Sequence, residues 1–107
     1  MKYLLVMCNA PDAATARQLA RTLVAEQLAA CVNILAPCLS VYRWQGQLEE
    51  TEEIPLLIKT TQPAYAALQA RLAELHPYEV PEIIALDIEQ GLPAYLTWVS
   101  AGTLSSS

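Results

Sequence analysis

The sequence is poor in the residues on which several classes of functional site depend. Its only glycines are Gly46, Gly91 and Gly102, so it can form neither a P-loop nor the glycine-rich turn of a dinucleotide-binding motif. It has only six basic residues, scattered along the chain, and a formal net charge of -5. Because binding to a phosphate backbone needs clustered lysine and arginine, we expect no nucleic-acid partner.

Membrane anchors and cysteine frameworks are not indicated either. No apolar run approaches the roughly 20 residues that span a bilayer. Residues 1–8 resemble a lipoprotein signal, but their five-residue apolar stretch is shorter than the roughly 7–15 residues of a signal core, and a buried strand fits better. Cys8, Cys31 and Cys38 are odd in number and form no C-x-x-C motif, which argues against a disulfide framework or a closed zinc site. We therefore expect a cytoplasmic protein with reduced thiols.

Apolar residues, in contrast, are abundant. They form 54% of the 107 residues and charged residues only 16%, against about 45–50% and about 25% in ordinary soluble domains. A chain of this length has room for one core and leaves apolar surface exposed, so burial in an oligomer interface is expected. We predict a single domain over residues 1–102 and a disordered tail over residues 103–107.

The first half of the chain shows strand, helix and hairpin patterns in turn. Residues 2–9 predict a buried strand, and Asp12 then opens a helix at the positive end of its dipole. Residues 31–35 predict a second strand, which is interrupted and resumes over residues 40–44. The helix that Asp12 opens carries apolar residues at helical spacing: Ala16, Leu19, Ala20, Leu23, Val24 and Leu28.

A long hairpin follows. Gln45-Gly46 fits a two-residue turn, and the return arm runs over residues 47–59. Pro55 within this arm predicts an edge position or a bulge. The arm would extend about 40 Å, whereas the helices cover only about 25 Å, so the hairpin tip projects. Because an exposed aromatic ribbon invites pairing, we predict a homo-oligomer built by sheet extension through the hairpin of residues 40–60.

The second half repeats the helix and strand pattern. A helix begins at Thr61-Gln62-Pro63 and ends at His76, because Pro77 disfavours helical geometry in the residue before it. Residues 82–88 predict another strand, and a short helix follows Pro93. The order β-α-β-β-α-β with a terminal helix predicts a ferredoxin-like α+β sandwich, with both long helices on one face of the sheet.

Five segments carry a resemblance that covers almost the whole chain. They are Asn9–Asp12, Ala29–Ile34, Tyr42–Gly46, His76–Ile83 and Tyr95–Trp98. In their order and spacing the sequence closely resembles the CutA family of divalent-cation-tolerance proteins. The resemblance implies a ferredoxin-like fold, an intertwined homotrimer and a link to tolerance of copper and other divalent metals.

The resemblance also implies candidate copper ligands. Carried over by position, they are Cys8 at the end of the first strand and His76 before the Pro-Tyr segment. The family can have a second histidine where this chain has Leu75, so one proposed ligand is missing here. A thiolate and an imidazole suit copper or zinc, and Glu79 or Glu82 is a candidate to complete the site. The ligands can come from one subunit or from two.

The same cysteine, histidine and aromatic residues also have purely structural interpretations. An unpaired cysteine is most often a small buried hydrophobe, which applies to Cys8 and more strongly to Cys31 and Cys38. His76 lies at a helix end, where an imidazole also serves as a cap or packs. The segment Tyr42-Arg43-Trp44 is interpreted as a trimer contact rather than a ligand cage.

The only charge run is Glu49, Glu50, Glu52 and Glu53. Its simplest interpretation is a solvated edge that discourages unwanted strand pairing. The alternative is a weak Ca²⁺ or Mg²⁺ site, because carboxylate oxygens suit these ions. Against the alternative, sequential strand residues point to opposite faces of a sheet.

Three functional hypotheses remain, and none is an enzyme, because the spacing of Cys8 and His76 does not single out a nucleophile pair. The first is a homotrimer that binds copper or another divalent metal in metal homeostasis. The second is a trimeric regulatory module, similar in fold to the PII type, with a small effector or a partner protein in its inter-subunit clefts. The third is a structural trimer with adventitious metal affinity.

Overall fold

The computed structural model describes residues 1–104 of the chain. Its elements in chain order are β1 (Tyr3–Ala10), α1 (Ala13–Ala25), β2 (Cys31–Ile34), β3 (Cys38–Trp44), β4 (Gln47–Thr61), α2 (Gln62–Leu75), β5 (Ile84–Ile88) and α3 (Pro93–Ala101). This order confirms the predicted arrangement, including the interruption between the second strand and the hairpin.

The helix boundaries follow from local chemistry. The carboxylate of Asp12 accepts a hydrogen bond from the N–H of Thr15 at 2.7 Å and so caps α1, as its position predicts. The helix ends before Leu28, because Gln27 adopts a positive φ of 58° that turns the chain. Pro63 lies in the first turn of α2, where its missing N–H costs nothing.

The sheet has the ferredoxin-like order β2-β4-β1-β5, with each neighbouring pair antiparallel. Buried and half-buried residues alternate along β1, so one face of the sheet meets the two long helices. The buried cluster on that face includes Val6, Cys8, Leu19, Leu23, Leu56, Ile58, Leu68 and Leu72. On the opposite face α3 contacts β1, where the hydroxyls of Tyr3 and Ser100 are 2.7 Å apart.

The hairpin of β3 and β4 projects from this body. Gln45 and Gly46 have φ values of 50° and 81°, the two positive values that a type I′ turn requires. The molecule measures 44 × 25 × 23 Å, in agreement with the predicted projection. Leu39 and Leu48 on the hairpin are 66% and 73% exposed.

Pro55 occupies an interior position of the sheet, so the predicted edge position is wrong. β4 lies between β1 and β2, and Pro55 is opposite Asn9. The carbonyl of Pro55 accepts a hydrogen bond from the N–H of Leu35 at 3.0 Å. Because the N and O of a strand residue point to the same side, the donor that Pro55 lacks would face Leu35, just past the end of β2, where that ladder finishes.

The predicted bulge lies beside Pro55, on the other arm. Ile34 pairs with Leu56, and Cys38 pairs with Glu53. Residues 35–37 therefore face only two residues of β4. This irregularity separates β2 from β3 and changes the course of the hairpin relative to the sheet.

The end of the described chain differs from the predicted tail. The hydroxyl of Thr103 donates to the carbonyl of Val99 at 3.1 Å, and the N–H of Leu104 donates to the carbonyl of Gln27 at 2.8 Å. Both residues are thus bonded to the domain. Residues 105–107, the rest of the predicted tail, lie outside the described part of the chain.

Candidate metal site and the hairpin cleft

The two predicted ligands meet at one carbonyl group. The Nε2 atom of His76 lies 2.7 Å from the main-chain oxygen of Asn9, and the Sγ atom of Cys8 lies 3.7 Å from the same oxygen. β1 positions Cys8 and Asn9, and the proline after α2 ends the helix so that His76 turns back toward β1. Residues 67 positions apart in the sequence are thereby brought together.

Both ring nitrogens of His76 already have partners. Nε2 donates to the carbonyl of Asn9, and Nδ1 accepts the N–H of Tyr78 at 3.1 Å. This pattern defines the neutral tautomer with the proton on Nε2, since a carbonyl oxygen can only accept. His76 is 7% exposed, and its ring packs on that of Tyr78 with centroids 4.7 Å apart. In this state the imidazole ties the segment after α2 to β1.

The thiol of Cys8 is buried on the helix side of the sheet, with 1% exposure. Burial, and secondarily the negative charge of Glu82, raise the pKa of this thiol from 9.0 to about 12. At neutral pH the sulfur is therefore protonated. A metal that binds here must displace that proton.

Glu82 completes the group of donors. Its Oε1 atom accepts a hydrogen bond from the side-chain amide of Asn9 at 3.2 Å. Cys8, His76 and Glu82 thus surround Asn9 with a sulfur, a nitrogen and a carboxylate, which suits copper or zinc in donor type. Within residues 1–104, however, no three His, Cys, Asp or Glu side chains converge closely enough to hold a metal ion. The donor types therefore fit copper or zinc, but the side chains are not arranged in advance to hold the ion.

A cleft of about 690 Å³ opens beside this group, between the hairpin and residues 77–82. We call it the hairpin cleft. Tyr42 and Trp44 of β3 line one wall, Tyr78 lines the other, and Asn9 lies between them. The sequence interpretation that made Tyr42 and Trp44 subunit contacts therefore has a competing one, because both side chains also face a cavity.

Glu53 is the cleft residue that sequence reasoning placed wrongly. It belongs to the charge run interpreted as a solvated edge, yet it is 7% exposed and its Oε2 accepts the hydroxyl of Tyr78 at 2.8 Å. Burial, and then this bond to the carboxylate, raise the pKa of Tyr78. Glu50 and Glu52 are exposed, as predicted. In the sequence, Glu53 differs from the other glutamates of the run in directly preceding the apolar Ile54. At Ile54 the return arm begins to pair with β1, so burial begins there.

The other candidate positions lie in β2, in β3 and at the end of α2. Cys31 and Cys38 are half-buried and lie in β2 and β3, and all three thiols are free. Leu75 packs against the hydrophobic core from the end of α2, so an apolar side chain occupies the position of the second family histidine. None of the helices among residues 1–104 is long and apolar enough to cross a membrane.

Comparison with known families identifies the chain. The family model described as CutA1 divalent ion tolerance protein matches residues 4–102. This protein belongs to the CutA1 family. The resemblance based on the five sequence segments is thereby confirmed, and the membership supports a role in metal tolerance.

Individual CutA relatives agree in sequence and in structure. The divalent-cation tolerance protein CutA of Thermus thermophilus is 48% identical over 98 residues, covering 92% of this chain and 95% of the relative. The crystal structure of CutA from Xylella fastidiosa superposes with a TM-score of 0.92 at 46% identity, covering 95% and 98% of the two chains. CutA1 from Oryza sativa gives a TM-score of 0.94 at 36% identity, covering 97% and 95%.

Proposed function

We propose that this protein acts in divalent metal tolerance as a cytoplasmic homotrimer that takes up copper through Cys8 and His76. The observation that carries the proposal is the shared contact of both side chains with the carbonyl of Asn9. Glu82 adds a carboxylate to the same group through its bond to Asn9. The proposed role is binding, without a catalytic step.

Uptake of the metal has a structural cost in this arrangement. The Nε2 atom of His76 must leave the carbonyl of Asn9 before it can donate a lone pair, and Cys8 must lose its proton. If the proton moves to Nδ1, the bond from the N–H of Tyr78 is lost as well. We therefore expect weak binding that loosens the segment after α2.

The homotrimer is supported by where apolar side chains are exposed. Leu39, Val41 and Leu48 on the hairpin and Ile84 and Leu86 on β5 are each at least half exposed. Apolar surface of this extent is typical of subunit interfaces. The long projecting hairpin supplies a strand that a neighbouring subunit can pair with or cover.

The test of copper uptake is a calorimetric titration with Cu(II), repeated with Zn(II), which cannot oxidise a thiol. The Cys8→Ala/His76→Ala double variant removes both proposed ligands, and Cys31→Ala is the matched control that removes a half-buried thiol elsewhere. We expect saturable binding that persists in the control and disappears in the double variant. Equal weak binding by all three proteins would reject the site.

The hairpin cleft favours a second candidate function, a regulatory module that binds a small effector. A cavity of about 690 Å³ with aromatic walls and a few polar groups has the size and lining of small-molecule sites. This function predicts an effector that raises the melting temperature of the trimer equally in the parent protein and in the Cys8→Ala variant, which removes a proposed metal ligand and keeps the contacts of His76 with Tyr78. An effector whose stabilisation is lost in Cys8→Ala would contradict it.

A further inference from the structure

We infer that the hairpin cleft binds an organic cation, an ammonium or guanidinium group carried on an apolar body. The cleft is lined by aromatic rings and by the carboxylates of Glu53, Glu79 and Glu82, and among residues 1–104 no lysine, arginine or histidine lines it. The inference deepens the second candidate function, on which its biological use rests. The cleft shares Glu82 with the candidate metal group, but neither Cys8 nor His76 lines it.

Glu53 places a buried carboxylate in the wall of the cleft. Its side chain is more than nine-tenths buried, and within the described residues it takes part in none of the ion pairs, which join Lys2 to Asp87 and Arg71 to Glu26 and Glu74. The hydroxyl of Tyr78 bonds to Oε2, which leaves the lone pairs of Oε1 for another donor. Because a buried carboxylate without a cation is costly, this position favours a positive group from outside the chain.

The aromatic wall points to the same ligand class. Tyr42 and Trp44 lie on one face of β3, are 41% and 40% exposed in the single chain, and both line the cleft. The hydroxyls of Tyr42 and Thr51 are 3.1 Å apart and hold the tyrosine ring in place. The faces of such rings attract ammonium and guanidinium groups, most strongly where water is partly excluded.

The spacing of the carboxylates distinguishes an organic cation from a metal ion. Within residues 1–104, no group of three acidic, histidine or cysteine side chains converges enough to hold a metal. Glu53 bonds to Tyr78 at one side of the cleft, and Glu82 bonds to Asn9 at another. Carboxylates with separate partners, in a cleft that aromatic rings also line, match a positive group carried on an apolar body.

The experiment uses the fluorescence of Trp44. The chain has two tryptophans, and Trp98→Phe leaves Trp44 as the only one. This protein is titrated with butane-1,4-diamine, with the neutral butane-1,4-diol of similar shape, and with Mg²⁺ at the same concentrations. We expect a saturable change of Trp44 emission with the diamine alone.

Two glutamates of one hairpin provide matched variants. Glu53→Gln removes the buried charge and keeps an acceptor for Tyr78, and we expect it to weaken diamine binding roughly tenfold. Glu52→Gln changes the same charge at the neighbouring exposed position, and we expect no effect. If circular dichroism shows that Glu53→Gln is misfolded, Tyr42→Leu tests the aromatic wall, with a several-fold loss expected.

Four results would overturn the inference. They are an equal response to the diol, an equal loss in Glu52→Gln, displacement of the diamine by equimolar Mg²⁺, and binding that appears only in Arg43→Ala. The last result would mean that an arginine of a second copy fills the cleft. The copper titration depends on Cys8 and His76 and is unaffected by these results. An effector of another chemical class that stabilises the trimer would retain the regulatory function while rejecting the cation.

Discussion

His76 donates through Nε2 to the main-chain carbonyl of Asn9 at 2.7 Å, so the end of α2 is bonded to the end of β1. The same ring accepts the N–H of Tyr78, whose hydroxyl in turn donates to Glu53. One imidazole thus connects the candidate metal ligands with the wall of the hairpin cleft. A change at His76 therefore affects both places.

The first prediction concerns the stability that His76 contributes. His76→Ala leaves the carbonyl of Asn9 with only its long contact to the thiol of Cys8, and it leaves the partly buried N–H of Tyr78 without its partner, so we expect a loss of about 1–3 kcal/mol in unfolding free energy. Urea denaturation at fixed protein concentration measures it. His76→Gln, which can donate to Asn9, should recover part of the loss. Unchanged stability in His76→Ala would contradict the structural role of the ring.

A second prediction follows from the buried thiol of Cys8. Its pKa is raised from 9.0 to about 12, so the native state favours the protonated form. The stability gained in this way is complete below pH 9 and is lost as the pH rises toward 12. We expect Cys8→Ala to reduce this alkaline loss and Cys31→Ala to leave it unchanged, as measured by thermal melting from pH 7 to 11. Equal alkaline loss in the parent and in both variants would contradict it.

The same burial predicts the order of thiol reactivity. Cys8 is 1% exposed, whereas Cys31 and Cys38 are half-buried. Because the thiolate is the reactive form, we expect iodoacetamide to modify Cys8 last at pH 8, and only when the protein unfolds. Mass spectrometry of peptides after timed labelling identifies each site. Early labelling of Cys8 in the folded protein would show that the strand opens.

Two substitutions in the turn of the hairpin should change the stability of the protein in opposite directions. Gly46 has a φ of 81°, so Gly46→Ala should destabilise the protein by about 1 kcal/mol, although the space around it is open. Gln45 also has a positive φ, and asparagine adopts that conformation more readily, so Gln45→Asn should stabilise it slightly. Thermal melting of both variants measures the difference. A loss of stability in Gln45→Asn would argue against the type I′ turn.

The turn and the helix boundaries could be predicted from the sequence because they depend on local chemistry. Gly46 permits the positive φ of the turn, Asp12 accepts the N–H of Thr15, and Pro77 excludes helix at His76. Each signal acts over a few residues. The same holds for the alternating burial of β1, which follows from the period of a strand.

Pro55 and Glu53 were placed wrongly because their surroundings are set by distant segments. Whether Pro55 lies at an edge depends on β1 and β2 pairing on either side of β4. Whether Glu53 is solvated depends on Tyr78, which is 25 residues away in the sequence. Periodicity gives the face of a strand, but it does not identify the segment that covers that face.

The final prediction concerns the homotrimer. Leu86 of β5 is 51% exposed and pairs with Leu5 on the face of the sheet opposite the long helices. If that face is covered by other subunits, Leu86→Glu buries a carboxylate in an apolar interface and should dissociate the trimer. Val24→Glu is the matched control, because Val24 is 41% exposed on the outside of α1. Size-exclusion chromatography with light scattering at micromolar concentration measures the mass.

The two variants separate a specific interface from a general effect of charge. We expect the parent and Val24→Glu to have the mass of three chains and Leu86→Glu to have a smaller mass with unchanged circular dichroism. A parent protein that is monomeric would reject the trimer directly. A trimeric Leu86→Glu would show that this face stays in water, and the interface would then have to lie on the hairpin, where Leu39 and Leu48 are still more exposed.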